Sequence, residues 1–235
     1  MKPVRIFRHM ACEGAGYLGD ILKQRGVDAQ IVCIDEGHAV PTRLDDISGL
    51  VFMGGSMSVN DPLDWVTDEL NLIRAARKQG LPMLGVCLGG QLLSKALGAT
   101  VSRGANGQEI GWHTVRRIES NVAASWLGDL PEENMAFHWH GETFGLPEGA
   151  VHLLASQCYD NQAWVSGNIL ALQCHPEMTA DMVSEWASVN TADIAQGGAC
   201  NQSAAEITHR LDERIVALHQ LASTLFNSWI DRLGV

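Results

Sequence analysis

The sequence predicts an α/β fold in three layers, a mostly parallel sheet with helices on both faces. Three observations carry that prediction. Four short, near-continuously apolar runs recur in the N-terminal part, amphipathic stretches of helical period lie between them, and the rhythm changes to shorter strand-like runs beyond residue 100. A chain of 235 residues with 46% apolar and 18% charged content has enough material to bury a sizeable core.

Residues 4–7 form the first expected strand, and 17–25 carry the first helical period. Strands at 31–34 and 50–53 follow. The helix expected over 65–79 opens among Asp61, Asp64 and Asp68 and closes on Arg74, Arg77, Lys78 and Gly80, as the helix dipole and a glycine cap favour. A fourth buried strand is expected at 83–86, and strand–helix alternation of this kind implies right-handed crossovers. Beyond it, runs at 110–118, 150–156, 163–166 and 169–174 come in hairpin-rich order and predict added antiparallel strands. Ser203-Ala204-Ala205-Glu206 has capping-box form, and Ile207, Leu211, Ile215, Leu218, Ala222, Leu225, Trp229 and Leu233 continue it as one long amphipathic helix. Residues 1–235 are expected to form a single domain, with a core over about 1–180, a helical C-terminal extension over about 181–235 and a mobile loop at 190–202.

Sixteen Lys plus Arg against 27 Asp plus Glu give a net charge of −11, which argues against a nucleic-acid partner. No apolar stretch is long enough to span a membrane and the N-terminus lacks a signal-peptide pattern, so a cytoplasmic location is expected. The cysteines at 12, 33, 87, 158, 174 and 200 show no CxxC pair, so reduced thiols are expected rather than a disulfide framework or a zinc knuckle.

The sharpest local feature is Gly85-Val86-Cys87-Leu88-Gly89-Gly90-Gln91, between an expected strand and an expected helix. A nucleophile held in such a strained turn needs small neighbours on both sides, and the glycines supply them. The helix start favours a thiolate, and the Leu88 amide suits a developing oxyanion. A lone buried cysteine is more often packing, and only the strand–turn–helix setting argues otherwise. Among nine histidines, His175 stands out in Gln173-Cys174-His175-Pro176-Glu177 at the end of an apolar run. There it suits a general base, with Glu177 two residues on as the group that orients it.

Together these residues resemble class I glutamine amidotransferases. The elbow has the family's Gly-x-Cys-x-Gly-x-Gln form, His-Pro-Glu follows 88 residues later, and Met53-Gly54-Gly55-Ser56 stands where the family has a Gly-rich turn. The resemblance covers about residues 1–180 and implies a flavodoxin-like domain with a Cys87, His175 and Glu177 triad. It further implies that the Gly55 and Leu88 amides form the oxyanion hole and that Gln91 holds substrate. Gln108-Glu109-Ile110-Gly111-Trp112 and Phe137-His138-Trp139-His140-Gly141-Glu142-Thr143-Phe144 are most similar to stand-alone relatives of the GMP synthase glutaminase domain. In them the second segment is a loop contributing to the amino-acid pocket, which implicates Trp139, His140 and Gly141. Two departures stand out: Ser56 replaces a usual proline, and only 58 residues follow Glu177, without an ATP-pyrophosphatase domain.

His138 and His140 share one face if extended and suit a metal, but no further ligand lies at suitable local spacing, so no metal is expected. Gly14-Ala15-Gly16-Tyr17-Leu18-Gly19 reads literally as a dinucleotide fingerprint with Asp35 beyond it. It starts too far from the strand and Glu13 would oppose a pyrophosphate, so a turn into the first helix is the better account. The expected reaction is hydrolysis of the glutamine side-chain amide through a Cys87 thioester without a cofactor, in the service of a synthetase in trans. The alternatives are a γ-glutamyl peptidase and a non-catalytic binding subunit.

Overall fold

A computed structural model describes residues 2–234. The expected N-terminal elements are present: β1 (Val4–Arg8), α1 (Gly16–Gln24), β2 (Ala29–Cys33), β3 (Gly49–Phe52), α2 (Asp64–Lys78), β4 (Met83–Val86) and α3 (Leu88–Ala96). There follow β5 (Val101–Arg103), β6 (Glu109–Arg117), α4 (Asn121–Leu127), β7 (Glu133–His140), β8 (Glu142–Phe144), β9 (Val151–Ser156), β10 (Ala163–Ser166) and β11 (Ile169–Leu172). The C-terminal helices are α5 (Ala180–Val189), α6 (Thr191–Gln196), α7 (Ala204–Thr208) and α8 (Leu211–Ile230).

Nine strands form one sheet in the order β2-β1-β3-β4-β11-β10-β9-β6-β7, and β5 pairs with β8 apart from it. The first five strands of that order are parallel, and each neighbour from β11 to β7 is antiparallel. Alternation along β1, β3, β4 and β11 builds two cores, whereas β2 at the sheet edge, expected as a buried strand, exposes Ala29, Gln30 and Ile31. Val4, Ile6, Val51, Leu84 and Leu172 face one helical layer with Leu18 and Leu225. Phe7, Leu50, Phe52, Met83 and Ala171 face the other with Ile73 and Leu92. Burial on both sides explains why these strands read as unbroken apolar runs. Among the described residues no helix is long and apolar enough to cross a membrane.

Four expectations are corrected. The long C-terminal helix is two helices: Ser203 and Glu206 form the capping box, but Arg210 takes a left-handed conformation at φ 51°. The last carbonyls of α7 explain the break, since Ile207 O accepts from the Trp112 indole at 2.8 Å and Glu206 O accepts from Arg214 at 2.7 Å. The stretch expected as a mobile loop at 190–202 contains α6 and a segment laid along β6, where the Ile110 amide donates to Cys200 O at 2.9 Å and the Gln202 amide donates to Ile110 O at 3.0 Å. The segment 137–144 is not a loop but the end of β7 and the whole of β8, paired with β6 and β5. Finally, Cys158 and Cys200 form a disulfide across 42 residues of sequence, brought together by the return of that C-terminal segment to β6.

Candidate active site

The parallel half places the elbow. β4 ends at Val86, α3 begins at Leu88, and Cys87 between them is held at φ 49° and ψ −106°. A left-handed non-glycine residue costs roughly 1–3 kcal/mol and persists only where its surroundings enforce it. Here the Cys87 amide donates to Leu172 O at 2.8 Å, and Cys87 O accepts from the Gln91 amide at 3.0 Å. The glycines are needed because the chain is crossed closely. A Cβ at Gly85 would lie 2.4 Å from the Gly89 carbonyl, one at Gly89 would lie 1.9 Å from Phe52 O, and one at Gly90 would lie 2.4 Å from Leu172 O. The sequence pointed to Gly85 and Gly89; the third contact depends on β11 and was not visible there.

His175 follows β11 and is tied to β7 by its amide, which donates to Phe137 O at 2.8 Å. Its Nδ1 is 2.8 Å from Glu177 Oε1, and both side chains are buried. Burial disfavours the imidazolium, but the Glu177 carboxylate and Cys87 outweigh it and raise the His175 pKa well above its ordinary value. Trp186 packs edge-on to the ring at a centroid distance of 5.0 Å. Gln173 donates to Cys87 Sγ at 3.6 Å.

These groups open onto a cavity of about 810 Å³. Cys87, His175 and Gly55 line it, as do Gln91, Trp139, His140 and Gly141 from the segments singled out in the sequence. Glu177 lies behind His175, and Leu88 contributes the backbone next to Cys87. Neither the Gly55 nor the Leu88 amide donates to a protein acceptor among the described residues. Gln91 Nε2 donates to Glu142 O and to Gln173 Oε1, each at 3.3 Å. His140 bridges Glu142 O at 2.9 Å and Glu109 Oε2 at 2.9 Å. The Trp139 indole donates to Asp193 on α6 at 3.0 Å, so the C-terminal extension forms one wall.

Three features escaped sequence reasoning. Glu13 is buried beside His175, and a Cβ on Gly54 would lie 2.0 Å from its carboxylate. Burial is the main cause that pushes its carboxyl up to about 7; His175 pulls it down and Glu177 adds to the rise. His9 links the Gly-rich turn to α2, with Nδ1 3.1 Å from Met53 O and Nε2 3.1 Å from Glu69. Gly16, inside the apparent dinucleotide fingerprint, has φ 45°, and a Cβ there would lie 2.2 Å from Glu177 O. That motif therefore serves close approach of α1 to the His-Pro-Glu turn, with the Tyr17 amide donating to Glu177 O at 2.8 Å.

The family model described as glutamine amidotransferase class-I matches residues 17–184, which spans the elbow, the Gly-rich turn and the His-Pro-Glu turn. The chain belongs to the class I glutamine amidotransferase family. A solved structure described as a glutamine amidotransferase from Methylobacillus flagellatus superposes with a TM-score of 0.94 at 40% identity, covering 99% of this chain and 95% of that one. γ-Glutamyl peptidase 4 of Arabidopsis thaliana is 27% identical over 60% of this chain and 57% of its own length. The glutamine-hydrolysing GMP synthase of Bacillus cereus is 33% identical over 55% of this chain and 24% of its own length. This family member thus spans just over half of the peptidase and about a quarter of the synthase it matches.

Proposed function

We propose that the protein hydrolyses the side-chain amide of glutamine through a covalent thioester, with Cys87 as nucleophile, His175 as general base and acid, and Glu177 as the group that orients His175. The observation that carries this reading is the buried His175–Glu177 contact of 2.8 Å beside a cysteine held in a left-handed elbow at φ 49°. Bonding of Nδ1 to Glu177 leaves Nε2 to take the thiol proton. The thiolate attacks the amide carbon, and the Gly55 and Leu88 amides receive the tetrahedral oxyanion. The C–N bond then breaks as the leaving nitrogen takes the proton held by His175, and ammonia departs. Water, deprotonated by His175, cleaves the thioester to glutamate and restores the thiol. Gln91, Trp139, His140 and Gly141 form the substrate wall, and the reaction calls for no cofactor. Ammonia would pass to a separate synthetase in the cytoplasm.

A γ-glutamyl peptide is the second reading, favoured by a cavity of about 810 Å³, which has room for a leaving group larger than ammonia. Glutamate release from glutamine and from γ-glutamyl peptides, measured side by side, separates the two. Release from glutamine alone supports the amidotransferase reading, and preference for the peptides replaces it. Release that survives Cys87→Ala would overturn both. Glu177→Gln is expected to lower kcat about 100-fold while Cys87→Ala removes activity, because an orienting group contributes less than the nucleophile.

A further inference from the structure

A second group of reactive side chains gathers on the antiparallel half, behind the substrate wall. Glu109 and His113 come from β6, Cys158 from the turn between β9 and β10, and Cys200 from the segment that follows α6. Ligand atoms of Glu109, His113 and Cys158 all lie within 4.8 Å of one another, and Cys200 Sγ is bonded to Cys158 Sγ. One carboxylate, one imidazole and two sulfurs therefore meet at one place, drawn from three segments far apart in the sequence. His113 Nε2 is 3.2 Å from the Ile110 carbonyl, an acceptor of the kind that fixes the tautomer of a metal-ligating imidazole.

An independent observation points the same way. His138 is fully buried, its ring centroid is 5.7 Å from that of His113, and neither of its ring nitrogens has a hydrogen-bond partner of good geometry among the described residues. Its Nδ1 stands 3.3 Å from Glu109 Oε2. A buried imidazole without a settled partner is costly unless a charge or ligand completes its surroundings.

We propose that Cys158, Cys200, His113 and Glu109 form a binding site for a zinc-class divalent cation when the Cys158–Cys200 bond is reduced. Two thiolates, one imidazole and one carboxylate are a donor set suited to tetrahedral zinc. A dithiol reductant delivers two electrons and two protons to the disulfide, giving two thiols and the reductant's own disulfide. The cation then displaces both thiol protons to solvent, and Cys158 and Cys200 bind as thiolates. Disulfide and metal are thus alternative cross-links between the same segments. Either one ties the chain after α6 to the turn between β9 and β10, and the metal would add β6 through His113 and Glu109, close to the Trp139–Asp193 contact that walls the cavity.

The test uses the full-length Cys87→Ala protein, so that the elbow thiol does not enter the spectrum. After reduction under anaerobic conditions and removal of the reductant, it is titrated with Co²⁺ and then with Zn²⁺. The expected result is one equivalent of Co²⁺ with thiolate charge-transfer and intense visible bands, displaced by Zn²⁺, and none in the oxidised protein. Adding Cys158→Ser, Cys200→Ser or His113→Ala should each weaken binding by about 100-fold or more, since even outer-shell changes cost 10- to 100-fold. Circular dichroism identifies any variant that fails to fold, and Glu109→Gln, which keeps the side chain's shape, then serves in its place. Absence of stoichiometric Co²⁺ binding by the reduced protein would overturn the proposal, as would a thiolate spectrum that persists in Cys158→Ser or equal binding by the oxidised form.

Discussion

Two glutamates buried on either side of the cavity show how differently the two halves of the sheet handle charge. Glu13, in the parallel half, lies near Glu177 without a hydrogen-bonded cationic partner among the described residues, and burial pushes its carboxyl up to about 7. Glu109, in the antiparallel half, accepts from His140 at 2.9 Å, from Gln162 at 2.6 Å and from Ser156 at 2.7 Å, with His138 at 3.3 Å. Opposed burial and histidine contacts resolve there in favour of the carboxylate, whose pKa falls well below the ordinary range. The parallel half concentrates strain and a raised carboxyl at its strand ends, while the antiparallel half surrounds its buried carboxylate with donors from neighbouring segments. Reactivity is expected from the first arrangement and a firm wall from the second.

The largest effect that would break this contrast concerns the elbow. Cys87→Ala should lower glutamate release by at least ~10⁴-fold with the fold intact, as measured by turnover together with circular dichroism. Gly89→Ala comes next, because its new Cβ would lie 1.9 Å from a backbone oxygen that has no rotamer to escape by. A loss of about 3 kcal/mol is expected in urea unfolding, and a loss below 1 kcal/mol would mean that the strand–helix contact is looser than described.

Glu13→Gln sharpens the comparison through pH. A carboxyl whose folded pKa is raised is more easily kept protonated in the folded state, so its contribution is complete below the unfolded value of 4.5 and is lost as pH rises through about 7. The wild-type protein should therefore lose stability relative to Glu13→Gln across that interval, by on the order of 3 kcal/mol. Urea midpoints at a series of pH values check this, and parallel curves would remove Glu13 from the account. The smallest expected effect is that of Glu109→Gln in the disulfide-linked protein, about 2 kcal/mol, because the amide keeps the shape but loses the charge on bonds from His140 and Ser156. Thermal unfolding measures it.

Much of the parallel half was legible in the sequence. Strands buried on both faces must be apolar throughout, so β1, β3 and β4 announce themselves, and β4 leads directly into the elbow. β7 was misread because its burial is mixed, with Glu133 exposed, Asn134 and Met135 half-buried, and His138 and His140 buried as polar groups. No periodic apolar signal marks a strand that buries imidazoles against a glutamate on its neighbour, where Glu109 opposes His140 and Gly111 opposes His138.

By itself, then, the sequence determined the layered α/β class, the elbow around Cys87 and the His175–Glu177 pair, because each depends on residues adjacent in the chain or on a strand's own periodicity. Only the tertiary structure decided that Glu13 enters the cavity, that Gly16 makes room for Glu177 O, that Cys158 meets Cys200, and that His113 and Glu109 stand beside them. Those contacts join segments whose separation carries no local signal; they arise where the closing of the sheet and the return of the C-terminal segment to β6 bring side chains together.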